Sequence, residues 1–146
     1  MSSTNKTANY QLNQWVGSDP VLMADFNADN QKIDAALAAI PKIATGTYTG
    51  NGTAPKTLTF PFPPKLLIVT RDASHYTNQR IIALRGQSFA HNTDYQASNM
   101  GYATMLTWSG NSVTLTAASQ SGSTDTSETP GAFNQNNQSY YYLAIG

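Results

Sequence analysis

The stretch ATMLTWSGNSVTLTA, residues 103–117, contains two β-rich runs, and apolar side chains alternate with polar ones throughout the second, SVTLTA. Alternation with a period of two is typical of β-strands that bury one face. Gly110 and Asn111 join the two runs, and a two-residue connection of this composition is typical of tight hairpins. This stretch therefore predicts an antiparallel β-hairpin.

Similar short runs lie on both sides of the hairpin. They are TGTYTGNGTAPKTLTF, KLLIVT and RIIAL before it, and SYYYLAIG at the end of the chain. Gly, Asn and Pro separate these runs, and no helical pattern alternates with them. Several short strands with turn signals between them favour an antiparallel β-sandwich or a jelly-roll-like domain. The chain is thus expected to be mainly β.

Two of these runs carry apolar side chains at successive positions. Residues 66–69 form a nearly continuous apolar run, which is typical of a strand covered on both faces. Tyr140, Tyr141 and Tyr142 place rings on both faces of the last strand. We therefore expect at least one of these rings to face a neighbouring subunit or a ligand, although ordinary edge packing would also explain each ring singly.

Composition excludes several classes of protein. The 146 residues suit one domain with an appendage, and the eight acidic and eight basic side chains cancel. Such a chain lacks the basic surface that nucleic acid or an anionic membrane attracts. The sequence contains no cysteine, so it offers neither a disulfide framework nor a thiolate metal site. It also lacks an apolar run of the length that membrane insertion needs and the apolar centre of a signal peptide.

One helix is expected near the N-terminus. In VGSDP, either Ser18 or Asp19 is a suitable N-cap, and Pro20 fits the first helical position. The pattern that follows predicts a helix from about Pro20 to Ile40, where Pro41 ends it.

The predicted helix carries a stripe of mostly apolar residues at spacings of three and four. The stripe consists of Met23, Phe26, Asn30, Ile33, Leu37 and Ile40. If Phe26 is a d position, Leu37 is an a position, and Leu at a with Ile at d favours three or four helices over two. A lone Asn30 in the stripe would fix the register between copies. The stripe predicts a trimeric helical bundle, but it would equally suit a single helix packed on its own β domain.

The segment NYQLNQWVGSDPVLMADFNADNQKIDAAL, residues 9–37, resembles the N-terminal segment of tail-fibre and tail-appendage proteins of bacteriophages and prophages. The matching residues are Tyr10, Leu12, Trp15, Asp25, Phe26, Asn27 and Ile33. Residues 46–70 and 137–146 are similar to the small β domains that end such fibres. The resemblance implies a homotrimer in which residues 1–43 attach to other tail or baseplate proteins. Residues 44–146 would form a β-sandwich receptor-binding domain that contacts the host surface.

The resemblance also implies a location. The chain would be made in the bacterial cytoplasm without a signal peptide and carried on a virion tail or an extracellular tail-like particle. A purely structural baseplate or tail-tip component is the first alternative, and a glycan-degrading enzyme is the second.

The sequence gives little support for catalysis or for a cofactor. His75 and His91 are the two histidines, and each has an aspartate three residues away, Asp72 and Asp94. This spacing is not a strong metal-ligand pattern outside a helix. The acids Asp72, Asp94, Asp125 and Glu128 are scattered over expected loops, which is normal for any surface. We expect no enzyme activity, no metal and no cofactor.

A binding site is better supported. The expected loops RDASHYTNQR and RGQSFAHNTDYQASNMG combine aromatic rings with amide, hydroxyl and guanidinium groups. An aromatic face covers the apolar side of a sugar ring, while the polar groups form directional hydrogen bonds. The predicted residues for binding a host surface glycan are Tyr76, Arg85, Phe89, His91 and Tyr95. Polar loops without a ligand are the alternative, and the loop at 118–139 is a further candidate.

Overall fold

The computed structural model describes residues 3–72, 79–91, 103–117 and 132–146. The chain divides into two compact units, Met1–Pro41 and Lys42–Gly146. The described part is mainly β, with antiparallel sheets and one short helix. The expectation of a mainly β chain with a short N-terminal helix is therefore confirmed.

The N-terminal unit contains two short strands and the helix. Strands β1, Asn5–Lys6, and β2, Asn13–Gln14, pair antiparallel. Helix α1 follows at Met23–Ala38, a length of 16 residues or about 24 Å.

The predicted helix boundaries were wrong at both ends. Leu22 is the N-cap, in an extended conformation and without a side-chain capping bond. The carboxylate of Asp19 is used elsewhere, since it accepts the backbone N–H of Thr4 and that of Val16, both at 2.9 Å. At the other end, Ile40 lies beyond the helix, because a residue directly before a proline disfavours the α conformation.

A polar face of α1 is covered by the N-terminal segment. The Asp29 carboxylate accepts the backbone N–H of Asn13 at 2.8 Å, and Asp29 is buried. Lys32 donates from Nζ to the backbone carbonyl of Gln11, and it also lies 3.6 Å from the Asp29 carboxylate. This face of the helix is therefore held by hydrogen bonds and an ion pair rather than by apolar packing.

The second unit contains eight strands in two four-stranded antiparallel sheets. The strands are β3 Ile43–Thr49, β4 Lys56–Thr59, β5 Leu66–Arg71, β6 Arg80–Leu84, β7 Phe89–His91, β8 Ala103–Ser109, β9 Ser112–Ala117 and β10 Ser139–Ile145. Sheet I has the order β3-β10-β5-β6, and sheet II has the order β4-β9-β8-β7. Consecutive strands β3 and β4 thus lie in different sheets.

The predicted hairpin at 103–117 is confirmed. Strands β8 and β9 pair from Ser109–Ser112 outward, and Gly110 in the turn has φ 51°. Glycine adopts this left-handed conformation without steric cost. One prediction nearby was wrong, since residues 89–91 were placed in a loop but form β7 at the edge of sheet II.

Both sheets contribute to one hydrophobic core. Its buried members are Leu58, Phe60, Phe62, Leu67, Val69, Ile81, Ala83, Ala90, Leu106, Val113, Leu115, Phe133, Tyr140 and Ala144. Within the tyrosine run, Tyr140 is buried and stacks on Tyr48 with ring centroids 5.0 Å apart, whereas Tyr141 faces outward. The rings therefore do lie on both faces of β10.

The segment 132–138 is fixed to the β3–β4 connection by a dense set of hydrogen bonds. Gly50 donates to the carbonyl of Gln138 at 2.8 Å, and Gly52 donates to that of Asn134 at 2.9 Å. A Cβ at Gly50 would collide with the carbonyl oxygen of Gln135. The glycine is therefore required by the close approach of two backbones.

Candidate functional site

Three of the five predicted ligand-binding residues lie within the part of the chain that the structure describes. Arg85 follows β6, Phe89 begins β7, and His91 ends β7 opposite Ala103. Tyr76 and Tyr95 lie outside the described residues. The predicted binding region thus includes a strand at the edge of sheet II, and not loops alone.

Arg85 connects three separate turns of the β unit. Its Nη1 donates to the carbonyl of Pro64 at 3.1 Å and to that of Gly110 at 3.2 Å. Its backbone N–H donates to the carbonyl of Lys65 at 2.8 Å. Arg85 is exposed at the surface. Its hydrogen bonds nevertheless hold the β4–β5, β6–β7 and β8–β9 connections together.

Trp108 lies beside this guanidinium. The guanidinium carbon of Arg85 is 6.0 Å from the centroid of the indole ring, within the range of a cation–π contact. The indole N–H donates to the carbonyl of Gln87 at 2.8 Å, and the Gln87 amide oxygen accepts the backbone N–H of Leu84 at 2.7 Å. These bonds fix the β6–β7 connection, so Arg85 and Trp108 present a rigid cationic and aromatic surface.

Phe89 presents an aromatic ring to solvent. Its side chain is 57% exposed, and it lies opposite Met105, which is also exposed, on the neighbouring strand. In β7 the buried side chain is that of Ala90, which packs in the core. The Phe89 ring is therefore not part of the core. An exposed ring of this kind can cover the apolar side of a sugar.

The outer face of sheet II next to Phe89 is rich in hydroxyl groups. We call it the hydroxyl face, and it consists of Thr57, Thr59, Thr107, Ser109, Ser112 and Thr114. Two pairs across β4 and β9 are hydrogen-bonded, Thr57 with Thr114 and Thr59 with Ser112, each at 2.9 Å. Hydroxyl groups can both donate and accept, so the face suits contact with water or with a polyhydroxylated ligand.

The shifted ionisable groups lie in structural positions. Burial raises the pKa of Tyr48 above its ordinary value, and the neighbouring Tyr140 adds to this effect. Burial likewise raises the pKa of Tyr140. The pKa of Asp19 is lowered, first by the hydrogen bond from the Thr4 hydroxyl and then by two backbone N–H groups. Burial explains the shifts of the two tyrosines, and hydrogen bonds within the fold explain that of Asp19. The shifts therefore do not mark an acid–base pair.

The part of the chain that the structure describes offers neither a metal cluster nor a membrane-spanning helix. Within these residues, no three His, Asp or Glu side chains lie close enough together to hold a metal ion. His75 and Asp94, which belong to the two His–Asp spacings in the sequence, lie outside the described ranges. The helix at residues 23–38 is too short and too polar to cross a membrane.

Two features of this region were missed from the sequence. The hydroxyl face follows from Thr and Ser at every second position of KTLT, TWS and SVTLTA, a signal that was used for strands but not for surface chemistry. The contact between Arg85 and Trp108 joins residues 23 positions apart on different elements, and no local pattern indicates it.

Comparison of the chain with models of protein families, with curated proteins and with solved structures found no match.

Proposed function

We propose that the chain is a tail-fibre-like attachment protein of a phage or of a phage-tail-derived particle. In this proposal it forms a homotrimer, attaches to other tail or baseplate proteins through residues 1–43, and binds a host surface glycan through its β unit. The support from the sequence is the resemblance of residues 9–37, 46–70 and 137–146 to such proteins.

The observation that carries the proposal is the exposed stripe on α1. Met23 is 79% exposed and Leu37 is 62% exposed, and the other members of the stripe are exposed as well. Phe26 stacks on Trp15 with centroids 4.9 Å apart and still keeps almost half of its side chain exposed. Fully burying one such side chain contributes about 1.5–3 kcal/mol. Burying the whole stripe against the helices of other copies would therefore stabilise this two-heptad helix.

The proposal extends to the architecture of the β unit. Two four-stranded sheets that share one hydrophobic core support a β-sandwich, with the inner face of each sheet packed against the other. Such a scaffold would hold the connection between β6 and β7 at its surface, which suits a region that must match a host.

The glycan site is proposed at Tyr76, Arg85, Phe89, His91 and Tyr95. The exposed ring of Phe89 supports this position most directly. Arg85 has a second role in holding three turns together, so Arg85→Ala would change structure as well as binding. Phe89→Ala is therefore the cleaner variant for a binding test.

Sedimentation equilibrium of the full chain tests the assembly. We expect three copies of the 15.7 kDa chain at micromolar concentration. A single copy under these conditions would contradict the trimer and leave α1 as an appendage.

Binding to whole bacterial cells and to isolated cell-wall glycans tests recognition. We expect the wild-type chain to bind, and both Phe89→Ala and the double variant Tyr76→Ala with Tyr95→Ala to bind weakly without a change in melting temperature. Thr47→Ala, on the exposed outer face of sheet I, is the matched control. A chain that assembles but binds no surface would favour the structural baseplate role, and release of reducing ends would favour the enzyme.

A further inference from the structure

We propose that the outer face of sheet I is a self-association surface, which meets the same face of the other two copies around the threefold axis of the proposed trimer. This inference rests on the proposed homotrimer and assigns to it a second contact besides the helix. We call this surface the aliphatic face, and its members are Ile43, Leu66, Ile68, Ile82, Leu84, Leu143 and Ile145.

The strand register makes these side chains one continuous surface. Ile145 lies opposite Ile43 on one side and Leu66 on the other, and Leu66 lies opposite Leu84. One row of four aliphatic residues therefore crosses the whole sheet, because directly opposite side chains have Cβ atoms about 4.5–5.5 Å apart.

A second row lies beside the first. Leu143 is opposite Thr45 and Ile68, and Ile68 is opposite Ile82. Ile82 is 58% exposed and Leu84 is 57% exposed in the single chain, and Ile43 is also exposed. The face is thus both continuous and open to solvent.

The two sheets differ in what their outer faces present. In an antiparallel sheet with one solvated face, the side chains along each strand point alternately to the apolar core and to solvent. The strands of sheet II follow this pattern, and their solvated side is the hydroxyl face. In sheet I, strand β5 instead places Leu67 and Val69 in the core and leaves Leu66 and Ile68 half-buried on the outside. This composition is typical of a strand that is covered on both sides.

The size of the face favours a copy of this chain over an unlike partner. Four strands about 4.8 Å apart and two rows about 7 Å apart give a footprint of roughly 260 Å². A stable interface buries about 800 Å² on each partner, so the aliphatic face alone is too small. The chain carries a second exposed apolar surface, the stripe on α1, and Ile40, which follows the helix, precedes Ile43 by three residues. A copy brings an apolar surface of its own for each of these two surfaces.

The charge of the face also suits a copy. Its two rows contain seven aliphatic residues and Thr45, while the next row on the same face contains the exposed Arg80, opposite Thr70. The two apolar rows of identical faces can therefore meet without like-charge repulsion, which would cost several kcal/mol at a charged surface, and Arg80 would lie at the polar rim of the contact.

Single-cysteine labelling tests the proposal on the full chain, which has no native cysteine. Ile82→Cys reports on the aliphatic face, and Thr107→Cys is the control on the exposed outer face of sheet II. In the assembled chain we expect maleimide to react with Cys at position 82 at least about tenfold more slowly than at 107, because an interface core excludes water. Dilution into the monomer should make the two rates equal. Equal rates in the assembled chain would overturn the proposal and leave the face for an unlike partner.

Lysine substitutions separate this inference from the proposed trimer. Ile82→Lys should weaken association by about a hundredfold or more, since a buried unpaired charge is costly, while Thr107→Lys should leave it unchanged. Ile33→Lys, in the stripe on α1, tests the helical contact. If Ile33→Lys dissociates the chain and Ile82→Lys does not, the trimer stands and the aliphatic face is not part of it. A monomeric wild-type chain would overturn both.

Discussion

The hydroxyl of Tyr48 connects two distant parts of the β unit. It donates to the backbone carbonyl of Phe133 at 2.8 Å, while the ring stacks on Tyr140. The Tyr140 hydroxyl in turn accepts the backbone N–H of Gln135 at 3.1 Å. Two tyrosine side chains from sheet I therefore hold the segment that leads into β10.

Tyr48→Phe should destabilise the β unit by about 1 kcal/mol, because it leaves the carbonyl of Phe133 without its donor. Tyr141→Phe is the matched control, since the Tyr141 hydroxyl is exposed and lies 3.4 Å from the Asp72 carboxylate. We expect the control to change the free energy of unfolding little. Urea denaturation of the two variants measures the difference, and equal effects would contradict the role of the Tyr48 hydroxyl.

The same residue predicts a pH dependence. Burial raises the pKa of Tyr48 in the folded chain, so folding favours the neutral hydroxyl. The stabilisation is complete below the unfolded pKa of about 10 and is lost as pH rises above that value. Wild-type stability should therefore fall more steeply above pH 10 than that of Tyr48→Phe, as thermal melts across alkaline pH would show. Parallel curves would contradict this assignment.

At the scale of elements, helix α1 has two faces with different partners. Its polar face contacts the N-terminal segment through Asp29 and Lys32, and its apolar stripe is largely exposed in the part of the chain that the structure describes, apart from the stacking of Phe26 on Trp15. A 16-residue helix is marginal in water by itself, so both faces contribute to its stability.

Asn30→Ile tests the stripe. Asn30 is exposed in the single chain, and in a trimeric bundle it would lie among the apolar residues of the seam. Replacing it by Ile should raise the melting temperature of the assembly, at the cost of a less defined register. Gln31→Ile, one residue further along the exposed side of the helix, is the control and should change the melting temperature little. Equal effects of the two variants would place Asn30 outside the seam.

The carboxylates of the N-terminal unit predict sensitivity to acid. Burial acts to raise the pKa of Asp29, but the Asn13 hydrogen bonds and Lys32 outweigh it, and the resulting pKa is lowered, as is that of Asp19. Their stabilisation is therefore present above the unfolded value of about 4 and is lost as pH falls through the lowered folded values.

Amide chemical shifts measure this loss directly. The N–H groups of Thr4, Val16 and Asn13 donate to these carboxylates, so their shifts should titrate with midpoints below about pH 4. In Asp29→Asn the titration of the Asn13 amide should disappear, while that of Thr4 should remain. Midpoints at or above the ordinary carboxyl value would contradict the assignment.

Local signals explain what the sequence could predict. The hairpin at 103–117 was found because alternation and a turn glycine lie within 15 consecutive residues. Strand β4 pairs with β9, more than 50 positions away, and no local pattern indicates that partner. Strand β7 has three residues, too few for a periodic signal. The helix start was misplaced because Asp19 accepts hydrogen bonds from Thr4, a contact that only the folded unit creates.

The candidate site was predictable to a similar extent. Composition indicated that aromatic and polar residues near 85–91 lie at the surface, and the exposure of Phe89 agrees with that expectation. The hydrogen bonds from Arg85 to the carbonyls of Pro64 and Gly110 form because three turns lie close together in the folded chain. The spacing of these residues in the sequence does not indicate that proximity. The types of residue therefore indicate where a candidate surface lies. They do not indicate which of its residues stabilise the fold and which are free to bind a ligand.

At the scale of the whole molecule, the two sheets divide the surface of the β unit by chemistry. Sheet I presents the aliphatic face, and sheet II presents the hydroxyl face with Phe89 at its edge. In the proposed assembly, the apolar surfaces meet copies of the chain, and the polar and aromatic surfaces remain available to a host glycan. Assembly and recognition would then use different faces, so a variant can alter one without the other.

That separation predicts how binding depends on ligand density. Contacts between single aromatic rings and sugars are weak, and three linked copies of a weak site can raise the apparent affinity by about 10² on a dense surface. A glycan that the wild-type chain binds is immobilised at high and at low density, and binding of the wild type is compared with that of Ile33→Lys. At high density the wild type should bind about a hundredfold more tightly, and at low density the two should bind equally, because one subunit then engages at a time. Equal binding at high density would show that the trimer adds nothing to recognition. A loss in Ile33→Lys at both densities would instead place the glycan site at a boundary between subunits.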